Sequence, residues 1–373
     1  MFNDISYKVL IIYKEKSMDN KSNDPDVGVH SSEKKANPVN DNYSFQNASD
    51  LITSKLGLEK VEGFSISSFF SEVFKKHDPD EVENFFTVGS KITTPSLQKS
   101  MALLPSPWLF FRVLIGAIVV YILFLMSWNE YKNINVIPGL IIVGSFAVPF
   151  SVLILFYEIN TPKNVSIVRV IQLLVLGGAL SIFLSLILFE MTPMLGILGA
   201  SAAGIVEEIG KLATVLFAMR MVSSERYKFR INALLFGAAV GAGFAAFESA
   251  GYALRIGLSN TDAMLDNITL RGAMSPFAHI VWTAIATSAY WIARKEHENF
   301  VATISSSKFL ILFAVPVGLH FIWNLPFQGP FLVKFWVLGF VAWVVILSLI
   351  QSALTEIAAL VVSEQAADTA DAD

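Results

Sequence analysis

The sequence predicts an all-α protein: a polytopic membrane helical bundle of about eight spans behind a polar N-terminal region. Three observations predict it. Of the 373 residues, 54% are hydrophobic, above the about 45–50% of soluble domains, and the mean hydropathy is +0.57. The excess is concentrated. Residues 1–105 are polar, with stretches such as "KSMDNKSNDPDVGVHSSEKKANPVNDN", whereas Trp108 to about Leu360 is a series of apolar blocks. Each block approaches the roughly 20 residues that a helix needs to cross a bilayer.

The N-terminal stretch "MFNDISYKVLIIYKEK" does not read as a signal peptide, because its apolar core is short and Lys8 interrupts it. Met18, followed by a polar linker, is an alternative start codon. Residues 1–45 are expected to be disordered, being poor in apolar residues and rich in Asn, Asp, Ser and Lys. Residues 46–98 carry apolar residues at helical spacing and are expected to form a small cytosolic helical module. Its caps are expected at Ser67 or Ser68 and at Asp78 or Asp80.

An eight-span domain over 105–355 follows. The spans are expected at 108–127, 136–157, 167–190, 194–221, 231–254, 272–293, 309–327 and 332–352. Residues 356–373 form an acidic C-terminal tail. Arg220, Arg226, Lys228 and Arg230 lie in the loop after span four, and Arg294, Lys295 and Lys308 in the loop after span six. Lys163 and Arg169 add to the same side. Only Lys132, Arg255, Arg271 and Lys334 lie on the other. The positive-inside bias makes both termini cytoplasmic in a multi-pass protein of the cell membrane. Trp108, Trp128, Tyr131 and Trp291 are expected as interfacial anchors. Gly196, Ala200 and Gly204 in span four, and Gly237 and Gly241 in span five, are spaced for close helix packing. Spans four and five are therefore expected at the centre.

There is no cysteine, which removes disulfides, thiolate nucleophiles and Cys-based zinc sites. The formal net charge of −4 says little about partners, since most acids lie in the tails; the partners expected are the lipid bilayer and a membrane-anchored protein substrate, with no nucleic acid.

Strongly polar residues at membrane depth are costly, about 2.5–3.5 kcal/mol for a charge at a helix centre, and mark functional sites by default. Span four carries Glu207, Glu208 and Lys211, span five Glu248, span six His279, and span seven His320 and Asn324. Glu207 and Lys211 are i,i+4 neighbours and Glu208 reaches Lys211 at i+3. Glu207 is expected near mid-span, with Glu248, His279 and His320 toward the outer half. A single buried Glu–Lys pair, or a single buried His, has an ordinary structural explanation; seven such residues on consecutive spans do not.

The chemistry narrows by elimination. No aspartate lies at depth, against an aspartyl protease, and no His-Glu-x-x-His is present. A serine protease at Ser201 would leave three buried carboxylates unexplained. Carboxylate chemistry remains: one glutamate ion-paired and one accepting a proton, with His and Asn holding water and an oxyanion. Alternatively Glu248, His279 and His320 would bind Zn2+ with one open position.

The stretches "EEIGK" (207–211), "FAAFE" (244–248), "HIVWT" (279–283) and "HFIWN" (320–324) resemble, in order, the four motifs of the PrsW family of intramembrane proteases. The resemblance spans about 105–350. It implies kinship with prenyl-endopeptidase and bacteriocin-processing membrane proteases and with the scaffold subunit of gamma-secretase. It further implies site-1 cleavage of a membrane-anchored, anti-sigma-factor-like protein. By motif, Glu207 and Glu208 match the catalytic pair, Lys211 its partner, and Glu248, His279 and His320 the remaining catalytic or ligand positions. Asn324 stands where PrsW proteins often carry Asp, which favours a donor over a base. The family is commonly labelled metalloprotease, whereas the prenyl-protease relatives look like glutamate-activated water enzymes. The competing readings are a non-catalytic scaffold and a proton-coupled transporter.

Overall fold

The computed structural model describes residues 45–59, 64–77, 81, 86–97, 104–220, 224–297, 299–327 and 329–370. Of the region 1–45 expected to be disordered, 1–44 lie outside them and Phe45 opens a helix; the expected caps at Asp78 and Asp80 also lie outside them. Two short helices, α1 (Phe45–Lys55) and α2 (Ile66–Phe69), precede the bundle. The cap of α2 is Ser65, whose side chain accepts from the Ser68 amide, rather than Ser67 or Ser68. The eight predicted spans correspond to α3 (Leu109–Tyr131), α4 (Ile137–Glu158), α5 (Ile167–Met191), α6 (Ala203–Arg220), α7 (Arg230–Gly257), α9 (His279–Ala293), α11 (Ser307–Trp323) and α12 (Val333–Ala370). Between them lie α8 (Thr261–Met274) and the short α10 (Phe300–Ser305). Among the described residues there is no strand. The protein is an all-α membrane bundle.

α3, α4, α5, α7 and α12 are long and apolar enough to cross a membrane. Their surroundings differ. Only 6% of the most apolar window of α3 is buried, against 89% of that of α7. Ile115, Val119, Leu123 and Met126 of α3 are exposed, a contiguous apolar face that suits lipid and not water. α7 is the hub, packed on α9, α4, α8 and α5. Its glycines make this possible: a side-chain carbon at Gly237 would lie 2.5 Å from the Thr283 carbonyl oxygen, and one at Gly241 2.5 Å from that of His279. That contact also fixes the depth of His279. Gly204 packs likewise against the backbone of Phe321, but Gly196 touches nothing within 4 Å.

Several boundaries differ from expectation for local reasons. Span four does not start at 194. Pro193–Ala202 is a 3-10 segment broken at Gly199 (φ 56°), and the α-helix begins at Ala203. Span six starts at His279 and not at 272, because Pro276 opens a tight turn that separates α8 from α9. The last helix runs on to Ala370, through most of the acidic tail, where Ala, Leu, Glu and Gln favour helix. α1 packs against this helix. Of the expected interfacial aromatics, Trp291 is wholly buried and donates to the Tyr227 carbonyl at 3.2 Å.

Two carboxylates cap helix starts from a distance. Glu356 Oε2 accepts the Arg230 amide at the start of α7, 2.7 Å away. Glu158, at the end of α4, accepts the amides of Trp108 and Leu109 on Oε1 and of Phe110 on Oε2, each at 2.8 Å. These are amides that a helix leaves orphaned at its start. Glu158→Ala is expected to cost about 2 kcal/mol, the upper end for a lost cap, read as a lower thermal midpoint in detergent. An unchanged midpoint would mean that water satisfies those amides.

Candidate active site

The three shorter helices, α6, α9 and α11, have 18, 15 and 17 residues, about 27, 22 and 26 Å at 1.5 Å per residue. They carry five of the seven predicted site residues, Asn324 is the C-cap that follows α11, and α7 carries Glu248. All seven gather at one end of the bundle, where α6 and α9 begin and α7 and α11 finish. Because α6 starts at Ala203, Glu207 lies in its second turn, near this end, and not at mid-span.

Glu208 and Lys211 are fully buried and paired, with Nζ donating to Oε1 at 2.6 Å. The same oxygen accepts from His320 Nδ1 at 2.8 Å. Lys211 is thus partnered at i+3 by Glu208, and not at i+4 by Glu207. Its ammonium also meets His279 Nδ1 at 3.0 Å and lies 4.6 Å from the centre of the Phe244 ring. An ammonium has only donors, so His279 Nδ1 accepts. His279 Nε2 then carries the proton and donates to Glu248 Oε2, 3.1 Å away. Each imidazole is therefore backed by its own carboxylate, His320 by Glu208 and His279 by Glu248. Trp282 walls both, stacked on His320 at 4.5 Å and edge-on to His279 at 5.1 Å.

Glu207 is bound differently. Its Oε2 is buried and has no hydrogen-bond partner; Glu208 Oε2 has none either, but that carboxylate is held through Oε1 by Lys211 and His320. It lies 3.8 Å from His320 Nε2 and 4.0 Å from His279 Nδ1. Glu207, Glu248, His279, His320 and Asn324 line one cavity of about 490 Å3. Asn324 Nδ2 donates to the Ala200 carbonyl at 3.2 Å, tying the end of α11 to the segment before α6.

Glu207, His279 and His320 form the one cluster of three ligand-type side chains found among the described residues, with donor atoms within 4.8 Å of one another. The sequence reading put Glu248 in that place. In the structure Glu248 is held outside the triangle by Arg271 and His279. Donor atoms around a tetrahedral Zn2+ stand about 3.3 Å apart, given bonds of about 2.0–2.1 Å. The observed 3.8 and 4.0 Å from Glu207 Oε2, within a set of donors that lie up to 4.8 Å apart, need a contraction, and because the His279 nitrogen on this side is the Nδ1 that accepts from the Lys211 ammonium, an ion there would displace that hydrogen bond. The unpartnered Oε2 and the carboxylate behind each imidazole, the usual backing of a metal-bound His, also fit an ion.

Sequence reasoning missed Arg271, which it counted only as a loop charge. The guanidinium pairs with Glu248, donates to Ser249 Oγ at 2.9 Å and stacks on Tyr252 at 4.5 Å. The overlooked signal is Asn260, which caps α8 by accepting the Ala263 amide and marks a separate helix in that loop. Ser201 is buried and makes no hydrogen bond to either histidine, both of which are committed elsewhere.

A helical membrane bundle that gathers three carboxylates, two imidazoles and an ammonium at one end, with Glu207, Glu248, His279 and His320 lining a cavity, has the groups that an intramembrane hydrolase needs. Residues 166–350 match the family model of the PrsW family intramembrane metalloproteases. The match runs from the start of α5 into α12 and contains all seven site residues. The chain belongs to that family and is an intramembrane protease. No curated protein and no solved structure matches it.

Proposed function

We propose that the protein hydrolyses a peptide bond of a membrane-anchored protein with Glu207 as the proton-accepting group. The observation that carries this is the unpartnered Glu207 Oε2 facing both imidazoles across the cavity wall. Glu207 accepts a proton from water held between His320 and Asn324. The water oxygen attacks the peptide carbonyl carbon, the C–N bond breaks, and Glu207 returns the proton to the departing nitrogen. Glu208, tied to Lys211 and His320, fixes the imidazole and takes no proton. Asn324, which lines the cavity, is a donor for the developing oxyanion, while Lys211 is enclosed behind Glu208 and His279 and acts through them. A Zn2+ ion held by Glu207, His279 and His320 would lower the pKa of a bound water and polarise the carbonyl. The scaffold and transporter readings find no support in a family of proteases.

By the positive-inside argument the site lies toward the outer face, so the cut falls near the outer leaflet, as in a site-1 cleavage. The test is proteolysis of a labelled single-span protein in liposomes, with and without a chelator, with the product terminus mapped by mass spectrometry. Cleavage beside the outer end of the span is expected. Loss on chelation with recovery on Zn2+ assigns the ion, and chelator-resistant cleavage assigns glutamate alone. A product terminus on the cytoplasmic side refutes the topology.

A further inference from the structure

α5 and α7 touch most closely where two glycines meet. A side-chain carbon at Gly178 would lie 2.6 Å from the Gly243 carbonyl carbon. One turn of π-helix, Leu173–Gly177, immediately precedes this contact in α5, and such turns are frequent at functional sites. Beyond the contact the two helices part. A second cavity, about 350 Å3, opens between 182–189 of α5 and 244–255 of α7. Leu186 and Phe189 form one wall and Phe247 and Gly251 the other, while Glu207 and Glu248 lie at its base. The same two carboxylates line the polar cavity described above, so they stand between two compartments. Leu186 is 60% exposed, and Phe183 and Leu254 flank it in the open, so this wall faces the lipid side of the bundle. Gly251 has no atom within 4 Å of a side-chain position.

We infer that the cleft between α5 and α7 is the lateral port by which the scissile segment of a membrane-anchored chain reaches Glu207, water arriving through the polar cavity opposite. This rests on Glu207 being the catalytic group. The continuity of the cleft with that carboxylate names the occupant: only a peptide segment coming from the bilayer must reach both. Its aliphatic and aromatic walls over two carboxylates select an uncharged or apolar segment and reject an acidic one. Arg255, stacked on Tyr252 at 4.8 Å, closes the outer end of the cleft.

The absence of cysteine makes the test direct. Single-cysteine variants Leu186→Cys, Gly251→Cys and Asn267→Cys carry a bimane fluorophore in liposomes. Brominated phospholipid is expected to quench the label at 186 and 251, and aqueous iodide the label at 267, which lines the polar cavity. Iodide quenching at 251 without bromolipid quenching overturns the port. In parallel, Gly251→Phe is expected to slow cleavage of a labelled single-span peptide at least tenfold with an unchanged thermal midpoint, while Gly116→Phe, at an equally open glycine on the lipid face of α3, cleaves like the parent. Full cleavage by Gly251→Phe overturns the proposal. A parent protein that fails to cleave refutes the Glu207 reading, and the quenching pattern still decides which compartment the cleft opens to.

Discussion

Glu207→Gln is expected to lower the rate of substrate cleavage by about a thousandfold, within the roughly 10²–10⁴ range of a lost general base, and to leave the thermal midpoint nearly unchanged. Gln has the shape of Glu, and the oxygen it alters has no hydrogen bond to lose. The measurement is single-turnover cleavage of a labelled single-span protein, alongside thermal unfolding in detergent. Metal content gives a third readout. If Glu207 is a ligand, the bound metal falls with activity; if it acts alone, metal content is indifferent to the substitution. A variant that retains a tenth or more of the activity removes Glu207 from the chemistry. Glu248→Gln is the useful contrast, since Glu248 acts through His279 and shares Arg271.

Lys211→Met is expected to be the most destabilising single change in the bundle, by about 3–5 kcal/mol, the cost of stranding one charge of a buried pair. Both partners are wholly enclosed, so water cannot replace the ammonium at Glu208. Glu208→Gln strands the ammonium in turn. The double variant Glu208→Gln/Lys211→Met removes both charges and is expected to recover most of the midpoint and none of the activity. A double variant no more stable than either single one would show that the pair is not the source of the loss. Recovery of activity would show that it serves only the fold.

Much of this was legible in the sequence, and the reason is physical. Charge is so costly at membrane depth that each Glu, Lys and His in an apolar block announces itself, and the order of blocks places them on neighbouring helices. What the sequence could not resolve were choices between near-equal geometries. Glu207 and Glu208 both reach Lys211 by spacing; the packing of α6 on α11, close where Gly204 meets Phe321, puts His320 on Glu208 and encloses it with the ammonium, and leaves Glu207 at the cavity. The position of Glu207 along its span was misjudged because Gly199 ends regular helix inside a continuous apolar run. Hydropathy carries no trace of that break. Arg271 escaped because it lies beyond the ends of the spans, where a cation reads as a topology signal. The carboxylates of Glu158 and Glu356 were read as a span end and a tail residue, since their amide partners are distant in sequence.

The brevity of α6, α9 and α11 has an effect outside the protein. Helices of about 22–27 Å stand in hydrocarbon about 30 Å thick, and lipid meets such a mismatch by thinning, at fractions of a kcal/mol per Å. Headgroups and water are thereby drawn down toward the level of Glu207 on the flank where α6 and α11 border the bilayer, α9 being buried. A substrate helix that passes this thinned zone on its way to the cleft between α5 and α7 loses part of its apolar cover before it touches the enzyme. Its backbone amides can turn to water, and the unwinding that a peptide bond needs before hydrolysis is already under way in the annulus of lipid. Bilayer thickness then becomes a control on turnover, independent of any residue in the site.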